Sequence, residues 1–189
     1  MITKYSMEDK YKLIKAELLK AKGNNPISIA KAIMKNDFVN IHGPEHHFLD
    51  GGSFMVALHN AGLEFDLSDG LDALAKRSIS MPGAMCGYWG VCGSVSSLGA
   101  VLAIIHNVGP LSDSKYYSDD MRYTSSVIKK MSEIGGPRCC KRNAFLSLST
   151  AIEFVKKEYD VELESERVEC DFSSLNQQCL KERCPFYKG

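Results

Sequence analysis

Between Met81 and Gly99 the chain reads Met-Pro-Gly-Ala-Met-Cys-Gly-Tyr-Trp-Gly-Val-Cys-Gly-Ser-Val-Ser-Ser-Leu-Gly, and this run limits what its surroundings can become. Its first half cannot be a helix interior, because Pro82, Gly83, Gly87 and Gly90 interrupt it. Its second half, from Cys92 to about His106, is small and apolar and predicts a tightly packed helix that opens on a cysteine and a glycine. A helix start carries unpaired N–H groups and partial positive charge, which draws Cys92 toward the thiolate, the form that binds metals and attacks electrophiles. Cys86 and Cys92 are therefore candidate reactive residues.

The chain has seven cysteines. An odd number that includes an adjacent pair does not suit a disulfide framework, so metal or thiol chemistry leads. The sequence begins directly with charged residues and lacks a signal-peptide core, which predicts a cytoplasmic protein in a compartment that keeps thiols reduced. Lys+Arg and Asp+Glu both number 23, giving a formal net charge of zero. No global field is then available to attract nucleic acid or an anionic membrane. No apolar run approaches the ~18 residues of a membrane span.

Helical spacing recurs along the chain. Met7, Tyr11, Ile14 and Leu18 mark an amphipathic helix over 5–22, and Pro26 opens a second through Ile29, Ala30 and Ile33. Residues 1–37 thus read as an N-terminal helical pair, and 38–189 as a cysteine-rich helical core and tail, together one compact domain. A helix over Leu67–Ser80 has Ser68 or Asp69 as its candidate cap. Another covers Asp119–Ile134. A third runs to about Tyr159, with Phe145, Leu148, Ile152 and Val155 as its core stripe. Val161–Glu164 is the one credible strand. The expected fold is mainly α, a single domain of about seven helices with the cysteine-rich tail folded over the site.

Three of the five histidines, His42, His46 and His47, fall within six residues around Gly43-Pro44-Glu45. Pro44 can open a helix, placing Glu45, His46 and His47 near an N-terminus. Adjacent helical residues point about 100° apart, so His46 and His47 cannot both chelate one ion without strain. Glu45 with His46 or His47 is the candidate set for moving protons or completing a coordination shell. Gly51-Gly52, just beyond, predicts either a break or a close approach of another backbone.

A second thiol site follows at Gly135-Gly-Pro-Arg-Cys-Cys-Lys-Arg142. The glycines stop one helix and Pro137 starts the next, which puts Cys139 and Cys140 in a first turn among cations that lower thiol pKa values. The tail carries Cys170, Cys179 and Cys184 as C-x8-C-x4-C-P in a loop-rich segment with few apolar residues to hold it down. A metal supplies such missing stability. These three lack a fourth ligand, for which Cys139 or Cys140 is the candidate. A cysteine followed by proline at the end of such a run is a feature of iron–sulfur ligation, and the cysteine excess tilts the expectation to an iron–sulfur cluster over zinc. There is no dinucleotide-binding GxGxxG after a strand, no phosphate loop, no HExxH and no nucleophile elbow.

The set His42-Gly-Pro-Glu-His-His47, Met81-Pro-Gly with Cys86-Gly and Cys92-Gly, Gly135-Gly-Pro-Arg-Cys-Cys140 and Cys179 to Cys184-Pro-Phe resembles an uncharacterised cysteine-rich domain family of anaerobes. Its members are sometimes fused or adjacent to SAM-dependent enzymes such as methyltransferases. The pattern is more distantly similar to the helical C-GCAxxG-C-C redox-associated proteins, from whose spacing it departs. The resemblance carries no activity with it. The functional expectation is a metal–thiolate protein in redox or sulfur-transfer chemistry, acting on a small molecule or with an electron-transfer or methyltransferase partner. A zinc-stabilised docking module and a metal-free dithiol oxidoreductase are the alternatives.

Overall fold

The computed structural model describes residues 4–189. Among them are eight α-helices and no strand. The first, α1 (Met7–Lys20), is capped by Ser6, whose side chain accepts the Asp9 N–H, and it buries Tyr11, Ile14 and Leu18. Asn25 caps α2 (Pro26–Ile33) through the N–H groups of Ile27 and Ser28.

The organising element is α3 (Glu45–Asn60), in which every residue from Glu45 to Leu58 is buried. A helix buried on all sides lies at the centre of a bundle. Around it stand α1, α2, α4 (Leu67–Ile79), α6 (Gly93–Ile105) and α8 (Cys140–Tyr159). Gly51 and Gly52 do not break α3; they let neighbours in. A Cβ on Gly51 would fall 2.2 Å from Ser97 Oγ on α6, and one on Gly52 would fall 2.4 Å from Leu18 Cδ1 on α1. Gly51 and the small residues of α6 let these two helices pack closely.

The remaining helices are the single turn α5 (Met85–Tyr88), which raises the count above the expected seven, and α7 (Lys115–Ile134). α7 packs on α6 and α8 through Tyr123, whose hydroxyl donates to the Ser147 carbonyl at 2.9 Å. Several boundaries differ from expectation. Asp66, not Ser68 or Asp69, caps α4 by accepting the Asp69 N–H at 2.8 Å. α7 begins four residues before Asp119. α8 begins at Cys140 rather than Pro137, with Cys139 as its cap. Val161–Glu164 is not a strand; it has no regular secondary structure, and its Leu163 is buried in the core.

From there the tail straps across the bundle. Ser28 Oγ donates to Glu166 at 2.9 Å, and Lys31 on α2 donates to the Glu169 carbonyl at 2.8 Å. Phe186 meets Phe145 of α8 edge-on, with ring centroids 5.6 Å apart. No helix among the described residues is long and apolar enough to cross a membrane.

Candidate functional site

Three helix N-termini meet at one end of the bundle: His46 and His47 on α3, Cys92 and Gly93 at the head of α6, and Cys139 and Cys140 at the head of α8. With the loop Gly83–Cys86 they enclose a pocket of about 200 Å³, lined by His42, His46, His47, Asp50, Cys86, Cys92 and Cys140 among others. Each helix start adds partial positive charge to this space. Tyr88 and Trp89, at the end of α5 beside Cys86, are exposed to solvent.

Cys92 caps α6 as the sequence requires, and its sulfur accepts the Asn143 Nδ2–H at 3.3 Å. The expected pull toward the thiolate is nevertheless outweighed. Burial raises its pKa, against the Asn143 bond and the Ser94 N–H. Burial likewise pushes Cys140 up to about 12, despite a hydrogen bond from the Gly43 N–H. In a closed pocket the loss of solvation exceeds what a helix terminus and nearby cations give back.

The histidine cluster divides. His47 lies against the start of α6, where a Cβ on Gly93 would fall 2.2 Å from its ring, so Gly93 is what admits the imidazole. Burial lowers the His47 pKa and keeps the ring neutral. His46 Nε2 lies 3.0 Å from Lys141 Nζ and 3.1 Å from the Asn40 carbonyl. Lys141 also donates to that carbonyl at 2.9 Å, and burial pushes its ammonium down to about 8. His42 Nδ1 accepts the Cys140 N–H at 3.4 Å, and burial lowers its pKa. Glu45 does not line the pocket. Its carboxylate, wholly buried, pairs with Lys10 at 3.0 Å and accepts the Asn40 N–H at 2.8 Å.

Asp50 was not among the residues singled out by sequence. It is fully buried on α3, lines the pocket, and neither carboxylate oxygen has a hydrogen-bond partner among the described residues. His46 Nδ1 lies 3.6 Å from Asp50 Oδ1 and is itself unpartnered. His47 Nδ1 and Ser94 Oγ nearby are unpartnered as well. The available signal was a lone carboxylate in an apolar helical run, one turn beyond His46.

Behind this pocket is a second cavity, of about 20 Å³, lined by Cys139, Cys170, Cys179 and Cys184. Cys139 belongs to both walls; Cys140 faces only the first. N–H groups point at the sulfurs. Arg142 N–H and Asn176 Nδ2–H reach Cys139 at 3.4 and 3.5 Å, Phe172 N–H reaches Cys170 at 3.4 Å, and Lys181 N–H reaches Cys179 at 3.4 Å. Burial raises the Cys170 and Cys184 thiols; the Phe172 and Phe186 N–H groups oppose it, while the other thiols add to it. Among the described residues no three His, Cys, Asp or Glu side chains are already gathered closely enough to hold a single ion.

A family model described as a family of unknown function (DUF5714) matches residues 14–187. The chain belongs to this family. The match spans both cavities and every residue that lines them, so the DUF5714 unit contains the whole candidate site. No curated protein and no solved structure matches the chain.

Proposed function

We propose that the protein is a metal–thiolate protein in which Cys139, Cys170, Cys179 and Cys184 hold an iron–sulfur cluster beside a reaction pocket, and that it works in redox or sulfur-transfer chemistry. The carrying observation is the donor set: four thiols share one cavity, and N–H groups are directed at their sulfurs. Neutral thiols gain little from such bonds, whereas metal-bound thiolates are stabilised and tuned by them. Arg142 acts on Cys184 in the same sense. The donor set fits a thiophilic centre; the cavity of about 20 Å³ has room for one water-sized atom, so a cluster requires the tail thiols to move apart around it.

When bound, such a cluster supplies one-electron chemistry or binds sulfur. The chain's own part is division of labour. Cys139 joins the tail cavity to the pocket, and Cys92, Cys140 and Cys86 present thiols to whatever occupies the pocket. His47, kept neutral by burial, offers a base. The electron-transfer or methyltransferase partner implied by the family resemblance would dock outside this unit.

Anaerobic purification with metal and acid-labile sulfide analysis and a visible spectrum tests the reading. Brown protein carrying iron and sulfide is expected. Zinc alone would replace this reading with a zinc-stabilised docking module, and absence of metal with reversible thiol oxidation would leave a dithiol oxidoreductase.

A further inference from the structure

The occupant of the pocket has to satisfy both signs of charge. Asp50 buries a carboxylate with no hydrogen-bond donor on either oxygen, and a buried carboxylate without partners costs several kcal/mol. An N–H-bearing or cationic group placed against it removes that cost. The rest of the wall has the opposite character: Gly93 and Ser94 start the 13-residue helix α6, Cys140 starts the 20-residue α8, and the exposed Arg138 stands at the rim. Helix starts and a guanidinium receive an acid group. The space of about 200 Å³ is about ten times that of the tail cavity, which suits a small molecule.

We infer that this pocket binds a small α-amino acid, its ammonium group against Asp50 and its carboxylate toward Arg138 and the start of α6. His46 Nδ1, buried, unpartnered and 3.6 Å from Asp50 Oδ1, is a further polar group on the ammonium side, and Ser94 Oγ, buried and unpartnered at the start of α6, is one on the carboxylate side. The side chain of the amino acid then faces Cys86, Cys92 and Cys140, so a sulfur-bearing member of the class, such as L-cysteine, brings its sulfur among the protein's thiols. The inference rests on reading this pocket as the reaction site, and it stands whether or not the tail cavity holds a metal.

The test is titration calorimetry of the full chain, as purified under reducing and anaerobic conditions, with L-cysteine, L-alanine, ethylamine and propionate. Both amino acids should bind one per chain, with ethylamine and propionate at least about tenfold weaker, since each satisfies one end only. Asp50→Asn, nearly isosteric, should weaken amino-acid binding by about tenfold or more. Arg138→Gln, an exposed change that cannot disturb the core, should weaken it about threefold. No saturable binding of either amino acid to the wild-type chain would overturn the inference, and so would unchanged affinity in folded Asp50→Asn. Metal content measured on the same samples separates the two readings. Amino-acid binding by metal-free protein would count against the cluster alone, and metal retained without amino-acid binding would count against this inference alone.

Discussion

His42 and Asn176, 134 residues apart, meet with His42 Nε2 3.0 Å from Asn176 Oδ1. Because His42 Nδ1 accepts the Cys140 N–H, the proton belongs on Nε2 and the imidazole donates to the amide oxygen. Asn176 then donates from Nδ2 to Cys139 Sγ at 3.5 Å and accepts the Gln178 N–H at 2.9 Å. One tail side chain thus ties the pocket wall, the shared cysteine and the tail's own turn together.

Asn176→Ala removes all three contacts from a buried position. The expected cost is about 1–3 kcal/mol, the range for buried hydrogen-bonding groups left without partners. The loss should be local. Limited proteolysis should cut the segment after Val161 faster, while denaturant unfolding of the bundle shifts only modestly; an unchanged cleavage rate would contradict the anchoring role.

Lys10 and Glu45 form a buried ion pair at 3.0 Å, and its place behind the pocket predicts a stability role. Lys10→Met should cost about 3–5 kcal/mol, because it strands a buried charge. Burial pushes the Glu45 pKa up, but the N–H groups of Asn40 and of Glu45 itself, with Lys10, outweigh it and hold the carboxyl below its ordinary value. A depressed carboxyl contributes stability that is present above its unfolded pKa of about 4.3 and is lost as the pH falls through its folded value. The advantage of wild type over Glu45→Gln should therefore be full at pH 7 and shrink below about pH 4, as read by denaturant unfolding at each pH.

The helices were legible because their signals are local. The 3–4 spacing of Tyr11, Ile14 and Leu18 and the Asn25-Pro26 start needed no knowledge of neighbours. The tail cysteines stood out in sequence as a group, but sequence could not choose whether Cys139 or Cys140 shares their cavity. That choice depends on which side of the α8 start each faces, a property of how the tail wraps. The thiol pKa values were misjudged for a related reason. Helix starts and flanking cations are visible in sequence, whereas the burial that outweighs them at Cys92 and Cys140 is tertiary. Asp50 carried no motif, and only the pocket around it gives it meaning.

Gly51 offers a test in which the usual sign reverses. In an exposed helix interior, Gly→Ala stabilises by about 0.5–1 kcal/mol. At Gly51 the added Cβ would meet Ser97 Oγ at 2.2 Å and the Ser97 carbonyl oxygen at 3.1 Å, and backbone cannot step aside as a flexible side chain can. Gly51→Ala should destabilise by about 1–3 kcal/mol, the usual range for overpacking. Gly87→Ala on α5, where no atom lies within 4 Å of the added Cβ, should be neutral or slightly stabilising. Thermal unfolding of the pair decides it; equal effects would mean that α3 and α6 are not held together this closely.

The cysteines themselves sort by cavity, not by sequence position. If the proposed cluster sits in the tail cavity, serine at Cys139, Cys170, Cys179 or Cys184 removes one of its ligands, so each single variant should lose most bound metal and free the tail to proteolysis. Cys140→Ser alters only the pocket and should keep its metal, although it lies one residue from Cys139. The same holds for Cys92→Ser and Cys86→Ser. Metal content per chain after anaerobic purification is the measurement. Retention in Cys139→Ser together with loss in Cys140→Ser would exchange the roles of the adjacent pair. The centre would then lie in the pocket, where Cys140 faces Cys92 and Asp50, and the tail cavity would be left as a packing feature of the strap.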